Sequence, residues 1–202
     1  MFHFFQIICA PFIRFFFPTK FVNKKKIPKG ACIIASNHTS NMDAINLAVH
    51  TWEKKYYLAK KQLFKNKVVG FFARKWGGIP IDRETNDINA IKTSLKVLKN
   101  GKKLVIFPEG TRLNNENMQM GEVKQGVAMF AIKARVPIVP MFIAKKPKVW
   151  QRNRVVVGDA FELDAFYGKK LTSDEMDEAT KIVAQKMEEL RQQTLMSLTK
   201  KK

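Results

Sequence analysis

Cysteine is almost absent from this chain of 202 residues, which contains only Cys9 and Cys32. A disulfide-stabilised secreted scaffold needs more cysteines, so that class is excluded and a reducing compartment is expected. Glycine and proline are also scarce, with 10 and 8 residues, and the sequence contains no internal repeat. Together with the length, this scarcity predicts a single globular domain with a sizeable core.

Acidic residues are missing before Asp43, although six Lys and Arg precede it. The first 150 residues carry 27 Lys and Arg against 8 Asp and Glu, whereas residues 151–202 carry 10 against 9. A surface this basic attracts anionic lipids, anionic substrates or nucleic acid. The aromatic residues are massed near the start instead of alternating with the basic ones, and no nucleic-acid-binding signature occurs. The sequence therefore predicts no nucleic-acid partner.

The sequence also lacks an apolar run of about 20 residues, the length that a membrane-spanning helix requires. Residues 1–17 hold seven of the sixteen Phe, but Gln6, Pro11 and Arg14 interrupt them. The basic cluster follows this stretch, whereas a cleavable signal peptide has its basic residues first. We therefore expect residues 1–29 to form a membrane-associating segment at the lipid interface and residues 30–202 to form the domain. The alternative is an N-terminal helix whose Phe side chains pack on the core, and the two can coexist.

Candidate strands and helices alternate along the chain. The strand candidates are residues 31–35, 56–59, 79–81, 104–107, 136–143 and 154–157. The helix candidates are residues 40–49, 61–76, 88–99, 123–135 and 174–198. This alternation predicts a single α/β domain with a mostly parallel, mixed sheet flanked by helices. The prolines in residues 136–143 predict incomplete backbone pairing of that strand.

A histidine and an aspartate follow the first strand candidate, at His38 and Asp43. On one continuous helix they would point about 140° apart, so they meet only if His38 lies on the loop and Asp43 in the first turn. Ser40 and Asp43 have the spacing of a capping box, which favours that boundary. A carboxylate on one imidazole nitrogen leaves the other free to accept a proton. The competing interpretation is that Asp43 only caps the helix. His3 and His50 have no metal-ligand spacing with His38, so no metal site is expected.

Three further motifs follow later strand candidates: Gly77-Gly-Ile-Pro-Ile-Asp-Arg83, Phe107-Pro-Glu-Gly-Thr-Arg112 and Val136-Pro-Ile-Val-Pro140. A guanidinium at Arg83 can bind a phosphate through two hydrogen bonds. In isolation the first motif is equally a solvated turn and the last a core strand. In α/β sheets, ligand-binding residues gather on the loops after the strands, where these motifs lie.

The order and spacing of the four motifs resemble the signature of the glycerolipid acyltransferase family over residues 30–145. The similarity is greatest to its bacterial-type 1-acyl-sn-glycerol-3-phosphate acyltransferases. The resemblance implies a glycerol-3-phosphate acyltransferase-like fold, with His38 as general base and Asp43 as the group that orients it. It also implies that Arg83 binds the phosphate of the acceptor, with Glu109, Gly110, Thr111 and Arg112 shaping the same pocket. Lys60 is predicted as a further substrate-binding residue.

The resemblance further implies transfer of a fatty acyl group to the sn-2 hydroxyl of lysophosphatidate by direct attack on a thioester. The chain has no Gly-x-Ser-x-Gly elbow and no cysteine motif, in agreement with a reaction that lacks an acyl-enzyme. Acyl-CoA or acyl carrier protein would be the co-substrate, with no cofactor or metal, and the partner surface an anionic bilayer. The expected location is the cytoplasmic face of a membrane, namely a bacterial inner membrane. The alternatives are another acceptor (a lysophospholipid, glycerol 3-phosphate or lyso-ornithine lipid) or a non-catalytic membrane-binding protein.

Overall fold

The computed structural model describes residues 2–51, 53–82, 85, 87–110 and 119–199. Its strands are β1 (Thr19–Val22), β2 (Cys32–Ser36), β3 (Lys55–Lys60), β4 (Gly78–Ile81), β5 (Lys103–Ile106), β6 (Ile138–Ile143) and β7 (Asn153–Val157). Its helices are α1 (Phe2–Phe16), α2 (Met42–Val49), α3 (Lys67–Lys75), α4 (Ile88–Lys99), α5 (Gly126–Ala134) and α6 (Ser173–Thr199). The strands form one sheet in the order β1-β7-β6-β2-β5-β3-β4.

Five neighbouring strands, from β6 to β4, run parallel to one another. β7 pairs antiparallel with β6, and β1 runs parallel to β7, so the other end of the sheet is reversed. The predicted α/β fold with a mostly parallel, mixed sheet is therefore confirmed. Because β2, β3, β4, β5 and β6 all end at the same edge, which we name the carboxyl edge, the loops that follow them converge there.

The two faces of the sheet are covered by different helices. On one face, the cluster around Ile33, Leu104 and Ile106 packs against α4, α5 and α6. On the other, Ile34 and Val105 pack with Leu47 and Ala48 of α2. β2 and β5 are buried along their whole length because both faces are covered, as parallel strands require.

α1 lies against α2, and its polar side chains make the attachment. Gln6 donates to the carbonyl oxygens of Ala48, at 3.2 Å, and of Thr51, and Arg14 Nη2 donates to Val49 O at 2.5 Å. These carbonyls lie at the C-terminal end of α2, where a helix leaves acceptors unpaired. Within the described residues, no helix has the length and apolar character needed to cross a bilayer.

Three features differ from the sequence-based expectation or refine it. β1 lies within the predicted 1–29 segment yet pairs with β7, from Thr19 opposite Asn153 onward. The helix expected over 61–76 is two elements, a 3-10 turn (Lys61–Phe64) and α3, because Asn66 Oδ1 accepts from Val68 N and Val69 N and starts a new helix.

The proline-containing strand β6 lies inside the sheet, between β2 and β7. Pro140 pairs in register with Ala35 of β2, whereas pairing with β7 begins only at Met141. The pairing on one side is therefore incomplete, as the prolines predicted. Pro140 has no N–H to donate on the β7 side, but its carbonyl still accepts from Gly158 N at 2.9 Å.

Candidate active site

A histidine–aspartate pair lies at the carboxyl edge, just beyond β2. His38 Nδ1 lies 3.0 Å from Asp43 Oδ2, with His38 on the loop and Asp43 in the first turn of α2. The two side chains therefore meet across a loop–helix boundary, as the spacing predicted. The Asp43 side chain is fully buried, whereas the His38 side chain keeps 13% of its exposure. The imidazole is thus held by a buried carboxylate on one side and remains partly accessible to solvent.

The Asp43 carboxylate is held by backbone donors as well as by the histidine. Oδ2 accepts from Thr39 N at 2.6 Å and from Ser40 N at 2.7 Å, and Thr39 Oγ1 donates to Oδ1 at 3.1 Å. These donors hold the carboxylate in place at the start of α2, where the helix dipole favours negative charge. Asp43 therefore joins the backbone of the His38 loop to the first turn of α2 and orients the histidine with the same oxygen.

The loop that carries His38 is anchored to β6 by its neighbour Asn37. Asn37 Oδ1 accepts from Ile143 N at 2.7 Å, and its Nδ2 donates to Ile143 O at 3.1 Å. This pair of bonds continues the pattern of the parallel ladder one step beyond β2. The position of Asn37 directly before His38 in the sequence does not indicate this role. A long-range contact of this kind becomes visible only once β6 is placed beside β2.

Phe107 and Glu109, from the loop after β5, complete the wall beside the imidazole. The rings of His38 and Phe107 stack with centroids 4.1 Å apart. Glu109 is buried, and its carboxylate accepts from Gly121 N at 3.3 Å and faces His38 N at 3.5 Å. Burial raises the pKa of Glu109 above its ordinary value, against the lowering effect of these two N–H groups. The predicted site residue Glu109 is thus in direct contact with the histidine loop.

Gly110 and Lys124 lie next to Glu109. Gly110 has φ of +68°, and a Cβ there would lie 3.2 Å from both Cε and Nζ of Lys124. The left-handed backbone favours glycine here, and a side chain at this position would also displace the end of Lys124. The sequence analysis did not select Lys124 as a site residue, although it belongs to the stretch that opens α5.

Three predicted site residues, Arg83, Thr111 and Arg112, lie outside the described residues. Lys60 is the last residue of β3, pairs in register with Ile81 and is exposed at the carboxyl edge. Among the residues that the structure describes, no cluster of three His, Cys, Asp or Glu side chains could hold a metal ion.

The geometry of the His38–Asp43 pair leaves one imidazole nitrogen free to accept a proton. With Nδ1 of His38 donating to Asp43, Nε2 carries the free lone pair, and the carboxylate stabilises the imidazolium that forms. The described geometry thus leaves Nε2 available to accept a proton, beside Phe107 and Glu109.

Comparison with known proteins identifies the family. The profile of the family described as Acyltransferase matches residues 18–144, more than half of the chain. The chain belongs to this acyltransferase family. The resemblance drawn from the four sequence motifs is therefore confirmed, and the histidine–aspartate pair lies within the matched region.

Curated acyltransferases are among the proteins to which this chain is similar. The 1-acyl-sn-glycerol-3-phosphate acyltransferase of Bacillus subtilis (strain 168) is 37% identical over 123 residues, which cover 60% of this chain and 60% of the relative. The protein of that name from Streptococcus pneumoniae is 37% identical over 123 residues, 59% of this chain and 44% of the relative. The chain therefore matches less than two thirds of the length of these relatives.

Two further comparisons extend the match. A 1-acyl-sn-glycerol-3-phosphate acyltransferase of Helicobacter pylori is 33% identical over 163 residues, 74% of this chain and 68% of the relative. The crystal structure of the 1-acyl-sn-glycerophosphate acyltransferase PlsC from Thermotoga maritima superposes with a TM-score of 0.67 at 22% identity. This superposition covers 94% of this chain and 78% of that chain, and it shows that the acyltransferase fold is shared.

Proposed function

We propose that the protein transfers a fatty acyl group from the thioester of acyl-CoA or acyl carrier protein to the sn-2 hydroxyl of lysophosphatidate, forming phosphatidate. The observation that carries this proposal is the buried Asp43 carboxylate 3.0 Å from His38 Nδ1. The names of the curated relatives support the choice of acceptor.

The proposed reaction is one displacement at the thioester carbonyl. Nε2 of His38 removes the proton of the acceptor hydroxyl, and the oxygen attacks the carbonyl carbon. The tetrahedral intermediate collapses with cleavage of the carbon–sulfur bond, and the proton passes from the imidazolium to the departing thiolate. The products are the new ester and a free thiol. The reaction needs no metal or cofactor beyond the thioester co-substrate.

The phosphate of the acceptor is assigned to the basic side chains of the carboxyl edge. By the family motifs, Arg83 is proposed to bind it, with Thr111 and Arg112 beside Glu109 and Gly110. Lys60 is proposed to add positive charge from the end of β3. A guanidinium is suited to this role because its planar fork matches two phosphate oxygens.

Membrane association is proposed to bring the enzyme to its lipid acceptor. The exposed apolar residues of α1 include Phe12 and Phe15, at 65% and 68% exposure, on the side away from Ala10, which packs inward. The basic residues that follow α1 are suited to the anionic headgroups of the cytoplasmic face. The acyltransferase would then work as a peripheral or monotopic protein of a bacterial inner membrane.

The proposal is tested by acyl transfer from radiolabelled donors to a panel of acceptors. We expect lysophosphatidate to be acylated in preference to a monoacylglycerol, which offers a hydroxyl without a phosphate. Parallel reactions with acyl-CoA and acyl carrier protein of the same chain length identify the donor. Equal use of the two acceptors would contradict the phosphate site.

The histidine is tested by His38→Ala, which should lower the rate by at least about 100-fold, as for loss of a general base. His50→Ala is the matched control because His50 ends the same helix but points away from the site, toward Phe21. It should change the rate by less than about threefold, because it touches no proposed reacting group. Full activity of the His38→Ala variant would contradict the mechanism.

A further inference from the structure

The short helix α3 exposes its apolar side chains, whereas an amphipathic helix ordinarily turns them to the core. The residue that α3 buries is Gly70. Val68 and Phe71 are 66% and 48% exposed, and Phe72 is 41% exposed. At 100° per residue Val68 and Phe72 lie about 160° from Gly70 and Phe71 about 100° from it, so all three point away from the buried side. With Leu63 and Val69, which are also exposed, they form what we name the α3 surface.

The attachment of α3 to the domain fixes this outward orientation. A Cβ on Gly70 would lie 3.0 Å from the Cα and O atoms of Phe64, so glycine allows the helix to rest on the preceding turn. The guanidinium of Arg74 lies over the Phe64 ring, 5.3 Å from its centroid. Because the inner side is filled by these contacts, the α3 surface cannot turn inward without displacing them.

α3 lies on the same face of the sheet as α1 and α2. A Cβ on Gly78 would lie 2.8 Å from Ala73 O, so this position of β4 faces α3. The next residue, Ile79, packs in the cluster that contains α4, α5 and α6. Since side chains alternate along a strand, α3 lies on the opposite face, where α2 packs and where α1 contacts α2.

The charged residues of the segment that carries the α3 surface are all basic. No acidic residue occurs between Glu53 and Asp82, whereas residues 60–75 contain six Lys and Arg. Exposed Phe and Val among lysines match the boundary between acyl chains and anionic headgroups. Pairing with a second copy would bring two sets of these cations together, which is unfavourable.

We propose that the α3 surface is a second lipid-contacting surface, which binds an anionic bilayer together with α1. α1 leads into the edge strand β1, and α3 packs against β4 at the other edge of the sheet. Two contacts near opposite edges of one face orient the domain on the membrane, whereas one helix alone leaves it free to tilt. The proposal concerns binding alone, so it stands apart from the chemistry assigned to His38.

Vesicle flotation of the full chain tests this surface directly. The variant V68S/F71S should bind vesicles of phosphatidylcholine and phosphatidylglycerol at least about tenfold more weakly than the wild type. The matched control is I88S/M196S, which removes two apolar side chains of 61% and 64% exposure from α4 and α6. It should bind as the wild type does because these helices cover the other face. All four side chains are exposed, and thermal unfolding verifies that each variant is folded.

A second vesicle-binding experiment tests the contribution of the lysine charges. The variant K65Q/K67Q should lose about tenfold in binding to vesicles that contain phosphatidylglycerol and nothing in binding to phosphatidylcholine alone. The proposal is overturned if V68S/F71S binds vesicles as tightly as the wild type does. If that variant also loses self-association, or loses binding to acyl carrier protein, the α3 surface binds a protein instead of a membrane. The His38→Ala variant should bind vesicles normally, which separates this test from that of the catalytic proposal.

Discussion

At the carboxyl edge of the sheet the buried charged groups are carboxylates, Asp43 and Glu109, whereas at the opposite, amino edge they are the ammonium groups of Lys55 and Lys103. Lys55 and Lys103 begin adjacent strands and are paired in register. Lys103 Nζ donates to both Glu53 oxygens, at 2.7 and 2.6 Å, and to Gly30 O at 3.0 Å.

The buried charge of the other lysine, Lys55, is less well compensated by its hydrogen-bond partners. Lys55 Nζ donates to Thr51 Oγ1 at 2.5 Å and to Glu53 O at 3.3 Å. The pKa of Lys55 falls from its ordinary 10.5 to about 8, chiefly because of burial; Glu53 opposes this shift and Lys103 adds to it. Burial also raises the pKa of the adjacent Cys32 thiol to about 11.

The two edges differ in whether their buried charged groups contact a side chain that solvent can reach. At the carboxyl edge, backbone N–H groups hold Asp43 while the histidine above it stays partly exposed, so a buried charge acts on a reachable group. At the amino edge the ammonium groups are enclosed, and their hydrogen bonds are with the protein itself. Substitutions at the first edge should therefore alter the rate, and substitutions at the second should alter stability alone.

The largest effect is expected for Asp43→Asn. Its neutral amide removes the negative charge that stabilises the His38 imidazolium, and its Nδ2 cannot accept from Thr39 Oγ1 as Oδ1 of Asp43 does. We expect the acyl-transfer rate to fall at least about 100-fold and the free energy of unfolding to fall by about 1–3 kcal/mol. Both are measured on one preparation, by radiolabel transfer and urea unfolding. His38→Ala should show the rate loss with little of the stability loss. If the Asp43→Asn variant keeps its acyl-transfer rate, the two edges do not differ in their effect on the rate.

A smaller effect, on stability, is expected for Glu53→Gln. It leaves the Lys103 ammonium, with 2% side-chain exposure, without its counter-ion. The free energy of unfolding should fall by about 2 kcal/mol, a value reduced because the Glu53 side chain is half exposed. Lys103→Met, which removes the buried charge itself, should cost less. The rate per folded molecule should match the wild type in both. If either variant lowers the rate as Asp43→Asn does, the amino edge is coupled to the site.

The smallest effect is the pH dependence that Lys55 contributes. Because its folded pKa is below its unfolded value, the unfolded chain binds the extra proton, and stability rises with pH between about 8 and 10.5. From pH 7 to 9 the wild type should gain about 1 kcal/mol relative to Lys55→Met. The difference between the two proteins cancels the opposing contribution of Cys32. Parallel curves of unfolding free energy against pH would show that Lys55 titrates normally.

The sequence predicted the elements that have strong local signals. Asp87 Oδ1 accepts from Ala90 N at 3.0 Å and starts α4, and Gly101, with φ of +70°, follows its end. β1 was not predicted, because four residues without regular alternation form a strand only when β7 lies beside them. The contact of Asn37 with Ile143 was missed for the same reason, since its partner is 106 positions away.

By itself, the sequence determined the α/β class, the acyltransferase motifs and the need for His38 and Asp43 to meet across a loop–helix boundary. These depend on short-range spacing, capping and hydrophobic periodicity, which the order of residues contains. Only the tertiary structure decided which side chains surround that pair, that two lysines are buried at the amino edge, and that α3 turns its apolar side outward. The physical reason is that burial depends on which distant segments cover a residue, and packing alone sets that.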